Sequence, residues 1–324
     1  MAAFLVRRLA QGAIVVALAA TIVFVLIRLV PGDPFAASMA DSRIPESVRA
    51  ELRKAYGLDR PLGEQYVRYV ASVAKGDLGF SASLQRPVTH VLADALPNTL
   101  LLMSMALFAS FATGIVVALA QVRRRGRLVD RILGGVSLVL FSVPDFWLAL
   151  LIVMTIPLWF PFFPIGGALD SYSYDLMGPV ARIGDRLKHL ILPAITLTLL
   201  YFPLIARHQR AALLEILPAD YITTARSKGV PENAVLNRHT LRNAVLPVIA
   251  LFGLAFPALL TGAVFVEKVF SWPGMGLVVV NAIGTRDYAV VTAAVLMGSV
   301  FVVLGGIATD LLYRRFDPRM RDEL

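Results

Sequence analysis

Residues 220–247 read DYITTARSKGVPENAVLNRHTLRNAVLP, a polar and basic segment that separates two strongly apolar stretches. The stretches before and after it, 190–206 and 245–269, have the length and composition of membrane spans. A hydrophilic segment between two spans is predicted to be an extramembrane loop with a structure of its own. The sequence therefore predicts an all-α polytopic membrane protein.

The composition of the whole chain supports the same fold class. The sequence is 57% hydrophobic and 16% charged, with a mean hydropathy of +0.72, whereas soluble domains have about 25% charged residues. A spanning helix needs about 20 mostly apolar residues. About six transmembrane helices are expected, at 9–30, 96–121, 132–159, 190–206, 245–269 and 289–313. The first is expected to be a retained helix, because its apolar run is long and five more follow.

The chain has a net charge of +9, and the distribution of its basic residues indicates the membrane topology. Most of the basic residues outside the long loop 31–95 fall on one set of termini and loops: Arg7, Arg8, Arg123, Arg124, Arg125, Arg127, Arg131, Arg207, Arg210, Arg226, Lys228, Arg238, Arg242, Arg314, Arg315, Arg319 and Arg321. The opposite short loops carry few. Basic loops remain on the cytoplasmic side, so both termini are expected there. Because topology accounts for the charge, no nucleic-acid partner is expected.

The spans divide the chain into four regions. We expect an N-terminal segment with the first transmembrane helix, an extracytoplasmic loop region with short helices, a five-helix transmembrane core that contains a cytoplasmic loop at 207–244, and a cytoplasmic tail. Their bounds are 1–30, 31–95, 96–313 and 314–324. Within the extracytoplasmic region, helices are predicted at 44–56 and 62–75, the second ending before Gly76.

No catalytic or metal-binding constellation is visible. Cysteine is absent and the four histidines are scattered, so no metal site is expected. The phosphate-binding pattern G-x-x-x-x-G-K-[ST] is also absent. A transporter without its own nucleotide site must be driven by an ion gradient or by a separate ATPase.

The first part of the basic loop is predicted to form a short helix. Asp220 lies near its N-terminus and Arg226 and Lys228 near its C-terminus, where their charges suit the helix dipole. Gly229 is suited to terminate the helix. Ala225 and Gly229 are four residues apart and are predicted to share one face, where small side chains would let another surface approach closely.

This loop resembles the "EAA" signature of the permease subunits of type I ABC importers, and in particular the peptide/nickel branch. The resemblance rests on DYITTARSKG at 220–229 and RHTLRNAVLP at 238–247, although Thr223 stands where the signature has Glu. It extends over nearly the whole chain through PGDP at 31–34, YGLDRP at 56–61, GDLG at 76–79, EKVFSWPGMG at 267–276 and DPR at 317–319.

The resemblance implies a type I ABC importer transmembrane fold in a bacterial-type inner or plasma membrane. It implies a non-catalytic subunit that has no cofactor of its own. Its expected partners are a second similar permease, two ATP-binding-cassette ATPase subunits that hold ATP and magnesium, an extracytoplasmic solute-binding protein and the lipid bilayer. Di- and oligopeptides are the main solutes of this branch, with nickel chelates, opines and glutathione as alternatives. The residues expected to dock the ATPase are Asp220, Tyr221, Thr224, Ala225, Arg226, Lys228 and Gly229.

One ionisable residue lies within a predicted span. Asp145 follows Pro144 in 132–159 and is a candidate for the translocation path, because charges at membrane depth are costly and commonly functional. Alternatively, Pro144 breaks the helix and Asp145 caps the broken end.

Two other classes of function are open at this point. An ion-coupled secondary transporter or a non-transporting membrane scaffold would share the spans and topology but would need no ATPase-docking loop.

Overall fold

A computed structural model describes residues 2–29, 60–252 and 263–316 of the 324-residue chain. The chain divides into two compact units, unit 1 with residues 1–99 and 273–304 and unit 2 with 100–272 and 305–324. Some predicted features lie outside the described residues: the motif at 31–34, the helix at 44–56, most of the motif at 56–61, part of the span at 245–269, and the motif at 317–319.

Unit 1 is built from helices and one short antiparallel hairpin. Its elements are α1 (Ala2–Leu29), α2 (Leu62–Ala74), β1 (Phe80–Ser81), β2 (Arg86–Pro87), the start of α3 (Val88–Arg123), α11 (Met275–Gly284) and most of α12 (Tyr288–Phe316). Phe80 pairs with Pro87 across the hairpin. The apolar core of this unit consists of Val88, Leu92, Ala95, Met275, Ala282, Val290 and Ala293.

Helix α2 packs on the first predicted span. Hydroxyl oxygens of Thr21 and Tyr66 lie 2.7 Å apart, and Nη2 of Arg28 donates to Oε1 of Gln65 at 2.8 Å. Gly76 follows the helix with φ +79, a left-handed conformation that glycine adopts without strain. The predicted helix at 62–75 and its stop at Gly76 are therefore confirmed.

A buried carboxylate joins the hairpin region to the start of α12. Oδ2 of Asp287 accepts from Oγ of Ser81 at 2.7 Å and from both N and Oγ of Ser83 at 3.0 and 2.7 Å. Burial on its own would raise the pKa of Asp287, but these hydrogen bonds and one from the Val290 amide lower it. Asp287 therefore stays ionised and holds two chain segments together.

Unit 2 contains the rest of α3 and the elements up to residue 272. These are α4 (Leu128–Ser142), α5 (Asp145–Trp159), a 3₁₀ turn (Tyr174–Leu176), α6 (Pro179–Ile216), α7 (Asp220–Ser227), α8 (Glu232–Ala234), a π-helical segment (Val235–Thr240), α9 (Leu241–Ala244), a helical stretch at 246–252 and α10 (Val264–Val269). Its core contains Leu197, Phe270 and Trp272, all nearly inaccessible to solvent.

The span predicted at 132–159 is broken in the middle. Helices α4 and α5 meet at an angle of 106°. The residue before a proline is driven away from helical geometry, and Val143, at φ −80 and ψ 131, is extended. Pro144 therefore ends one helix, and Asp145 is the first residue of the next.

The span predicted at 190–206 is the central part of a much longer helix. Helix α6 has 38 residues and contains Pro193 and Pro203. At 1.5 Å per residue it is roughly 57 Å long, well above the ~30 Å of a bilayer core. The stretch 179–189, before this predicted span, is thus also helical, and the cytoplasmic loop predicted from 207 is helical until Ile216.

Helices α3 and α6 approach each other closely. A Cβ atom added at Gly114 would lie 2.7 Å from Cγ2 of Ile205 and 3.1 Å from the backbone nitrogen of Ala206. Only glycine fits there, as is common where membrane helices pack backbone to backbone.

Within the described residues, four helices are long and apolar enough to cross a membrane, or five if the broken pair is one span. The four are Val6–Leu29, Val88–Arg123, Pro179–Ile216 and Tyr288–Leu311. They correspond to four of the six predicted spans, and the broken pair corresponds to a fifth. The remaining predicted span, 245–269, includes undescribed residues.

Candidate functional site

The basic loop forms a compact group of short helices, which we call the docking segment and define as residues 217–244. Its first helix, α7, begins at Asp220 and ends at Ser227. Asp220 lies in the first turn and Arg226 in the last, so both charges complement the helix dipole as predicted. The polar face is further ordered by the Thr224 hydroxyl, which donates to the Asp220 carbonyl at 2.9 Å.

Helix α7 ends in a Schellman motif. The amide of Gly229 donates to the Arg226 carbonyl at 2.9 Å, and the amide of Val230 donates to the Ala225 carbonyl at 3.2 Å. Gly229 has φ +78, the left-handed conformation that this motif requires. The predicted stop at Gly229 is confirmed, and the motif sets the direction in which the chain leaves α7.

Ala225 and Gly229 do not share a helical face, so that prediction is wrong. The helix ends at Ser227, before Gly229. Ala225 is only 8% exposed and packs in a cluster with Ile222 and Val235 of the same chain. Its small side chain allows close packing inside the docking segment rather than contact with another surface.

The other predicted docking residues lie on the surface. Those classed as exposed are Asp220, Tyr221, Thr224, Arg226, Lys228 and Gly229. Helix α7 therefore has an apolar inner side that packs on its own chain and a polar outer side with charges of both signs. Such an outer face is suited to a polar protein surface.

Arg226 is held by a carboxylate that the sequence pattern did not single out. Its Nε and Nη2 donate to the two carboxylate oxygens of Glu232 at 3.1 and 2.7 Å. The hydrogen bond to Glu232 raises the pKa of Arg226, and the same bond lowers the pKa of Glu232. Both side chains are well exposed, so the pair adds little to stability but fixes α7 against α8. A glutamate at the start of a helix after Pro231 is the only sequence signal for it.

The second half of the motif, from Arg238 onward, begins in a π-helical turn. Val235–Thr240 is π-helical and is followed directly by α9. Such turns are rare and occur frequently at functional sites. Nδ2 of Asn243 donates to the hydroxyl of Tyr221 at 2.8 Å, so the two halves of the motif contact each other and form one surface.

The docking segment is attached to two long helices of unit 2. Nε2 of the fully buried Gln209, on α6, donates to the Ala244 carbonyl at 3.0 Å. Nη2 of Arg123, at the end of α3, donates to Oδ1 of Asn237 at 2.8 Å. Apolar packing accompanies these bonds, through Ala118, Ala212, Leu213, Leu236 and Ala244. These hydrogen bonds and apolar contacts connect the docking segment to α3 and α6.

Asp145 lies at the break between α4 and α5, away from the docking residues in sequence. It is partly buried and occupies the first turn of α5, where a negative charge is favoured by the helix dipole. The predicted break at Pro144 is confirmed, but Pro144 is the N-cap residue and no side-chain cap hydrogen bond is made there. The capping role of Asp145 and its role in a translocation path both stay predictions.

In residues 2–29, 60–252 and 263–316, no group of three or more acidic, histidine or cysteine side chains could hold a metal ion.

Two family models together match almost the full length of the chain. Residues 94–322 match the binding-protein-dependent transport system inner membrane component, and residues 1–103 match the N-terminal region of such membrane components. The docking segment lies within the first of these matches.

Relatives of known description are similar over nearly their whole length. The chain is 38% identical over 313 residues to the di/tripeptide transport system permease protein DppB of Pseudomonas aeruginosa, covering 93% of each chain. It is 36% identical over 322 residues to the oligopeptide transport system permease protein AppB of Bacillus subtilis, covering 99% of each. It is 33% identical over 313 residues to the dipeptide transport system permease protein DppB of Escherichia coli K12, covering 92% of each.

The apolar helices, the docking segment and the matches across both family models lead to one assignment. The chain belongs to the family of binding-protein-dependent transport system inner membrane components.

Proposed function

We propose that this chain is a permease subunit of an ATP-driven importer for di- or oligopeptides, and that the docking segment receives the ATPase. In this proposal the chain forms the translocation path with a second, similar permease. A solute-binding protein delivers the peptide from the opposite side. Two ATPase subunits bind ATP and magnesium, and this chain is not catalytic.

The peptide assignment is supported by the three relatives, each named as a permease for dipeptides, tripeptides or oligopeptides. Nickel chelates, opines and glutathione are the alternative solutes within the same branch. The test is uptake of a labelled dipeptide in the presence of each of these solutes, or of unlabelled peptides, as competitors. The peptide proposal requires that unlabelled peptides reduce the uptake most.

A single structural observation carries the docking proposal. Helix α7 exposes a polar outer face, while Ile222 and Ala225 on its inner face are buried against the rest of the docking segment. That segment is bonded in turn to α6 through Gln209. An exposed helix that is rigidly connected to transmembrane helices can transmit movement between a soluble motor and the membrane.

The docking proposal is tested by changing Gly229 to tryptophan. Gly229 has φ +78 and open space around it, so the variant strains the Schellman motif by roughly 1–2 kcal/mol and places an indole beside α7. We expect membrane insertion to persist and co-purification of the ATPase to fall at least about tenfold, since 1.4 kcal/mol corresponds to that factor.

Gly126→Trp is a matched control. Gly126 has φ +77 and open space, and it lies in a polar loop before α4, so the strain is the same while α7 is untouched. ATPase association should remain normal in this variant. Normal association in both variants would contradict the docking proposal, and equal loss in both would assign the effect to general strain.

A further inference from the structure

Unit 2 contains a cavity that the docking segment does not use. It has a volume of about 930 Å³ and lies between α4 and α6, with Gln121 from α3 at its edge. This volume is in the range of pockets that bind small molecules. Its position, near the start of α4 and the second half of α6, is at the membrane side that the charge pattern predicts to be cytoplasmic.

One part of the cavity lining is strongly basic. Arg131, Arg207 and Arg210 contribute to it, against the single carboxylate of Asp130. Nη2 of Arg210 forms an ion pair with Oδ2 of Asp130 at a distance of 3.2 Å. That carboxylate oxygen also accepts from the Gly126 amide at 3.0 Å. Asp130 is therefore committed to Arg210, and the cavity keeps a net positive charge.

Two polar atoms in the lining residues are buried without a hydrogen-bond partner among the residues that the structure describes. They are Nε of Arg210 and Oγ of Ser137. Both can donate a hydrogen bond. Buried polar groups without a partner are uncommon, and two donors beside a positively charged cavity indicate that an oxygen-rich anion completes them.

Most of the remaining lining is apolar, and Gly135 leaves room along it. Leu138 and Phe141 of α4 face this space together with Leu204 and Leu214 of α6. A Cβ atom added at Gly135 would have no neighbour within 4 Å among the described atoms. Contact with these apolar side chains does not stabilise a soluble anion, whereas an acyl chain can pack along them.

We propose that this cavity binds an anionic phospholipid, with the phosphate group at Arg131, Arg207 and Arg210 and an acyl chain along Leu138 and Phe141. Basic pockets between transmembrane helices on the cytoplasmic side bind anionic head groups, and guanidinium groups match phosphate oxygens in geometry. The proposal concerns α4 and α6 and does not depend on the ATPase or on the transported solute.

The test compares three variants of the full chain, purified from membranes with the subunits that it retains. Arg131→Gln with Arg207→Gln removes two charges but keeps the Arg210–Asp130 pair. Gly135→Leu fills the apolar part and leaves every charge in place. Arg124→Gln with Arg127→Gln is the control, because it removes two charges from the neighbouring loop outside the lining.

Each protein is placed in nanodiscs with equal phosphatidylglycerol and phosphatidylcholine, transferred to detergent and analysed by mass spectrometry for retained lipid. We expect the parent and the control to retain phosphatidylglycerol preferentially. The double variant at 131 and 207 should bind it roughly 30-fold more weakly, since each basic side chain near an anionic lipid contributes about fivefold. Gly135→Leu should also lose the bound lipid.

Separate arms distinguish the other occupants. Thermal stabilisation by inorganic phosphate, without any preference for phosphatidylglycerol, would overturn the lipid proposal and indicate that the cavity binds a soluble anion. Cross-links from position 135 to a second permease, again without retained lipid, would assign the cavity to a subunit interface. Equal lipid retention in the parent and in both cavity variants would show that the retained lipid does not bind in this cavity.

Discussion

Asp287 shows how one buried residue determines local structure in unit 1. The residue is 4% exposed, and its carboxylate accepts three hydrogen bonds at one oxygen. We expect Asp287→Asn to destabilise unit 1 by roughly 2–4 kcal/mol, because an amide cannot accept all of these bonds. Denaturant unfolding in detergent measures the change. Asp94→Asn is the control, since Asp94 makes an exposed pair with Arg86 and should change stability by less than about 1 kcal/mol.

The same carboxylate predicts a pH dependence with a definite sign. The pKa of Asp287 is lowered in the folded protein, so its contribution is fully present above its unfolded pKa of about 3.9. The contribution is lost as the pH falls through the lower, folded value. The stability difference between the parent and Asp287→Asn should therefore shrink below about pH 4. A difference that stays constant on acidification would contradict this role.

At the scale of elements, the contact between α6 and the docking segment is the most direct target. Gln209→Leu removes the bond to the Ala244 carbonyl while filling a similar volume. We expect ATPase binding to persist, because the outer face of α7 is unchanged, and transport to fall at least about tenfold, the effect of about 1.4 kcal/mol. Measuring ATP hydrolysis and solute uptake side by side in liposomes separates the two effects.

The control for Gln209→Leu is Thr196→Val on the same helix. Thr196 is equally buried, but its hydroxyl donates to the Leu192 carbonyl within α6, so no contact with the docking segment is lost. Uptake that remains coupled to ATP hydrolysis in Gln209→Leu would show that the hydrogen bond from Gln209 is not needed to transmit movement.

Local sequence signals predicted the elements of the docking segment well but not their orientation. The sequence predicts a helix end at Gly229, because glycine is suited to the C-cap and Pro231 follows it closely. The prediction for Ala225 is wrong, because spacing alone shows neither where a helix ends nor which surface one of its faces contacts. Glu232 and the Arg210–Asp130 pair were missed because each partner becomes a neighbour only after the chain folds back.

Helix lengths show the same difference between what local sequence signals predict and what they do not. The sequence predicts the apolar part of α6 as a span but assigns the residues from 207 onward to a loop. Hydropathy indicates the part of a helix that lies in the bilayer and does not show whether the helix continues outside it. The break at Pro144 was one of two alternatives for Asp145, and backbone restriction before proline is a local effect that sequence reveals.

For the whole molecule, the source of energy distinguishes the proposed importer from an ion-coupled transporter. We expect uptake into proteoliposomes to require ATP on the side of the docking segment and to continue when ionophores collapse all ion gradients. The complex should also need its binding protein, as the family description indicates. Uptake driven by an ion gradient without ATP would favour the secondary transporter, and binding without flux would favour a scaffold.

The π-helical turn at Val235–Thr240 has a consequence for how the length of this chain can vary. A turn closed by i→i−5 bonding contains one residue more than an α-helical turn. Deleting one residue there would give a continuous α-helix and leave the flanking residues in register. The same deletion within α6 would rotate every later side chain by about 100° around the helix axis. We therefore expect the backbone at 235–240 to tolerate the deletion of a single residue, with loss of the π-helical turn.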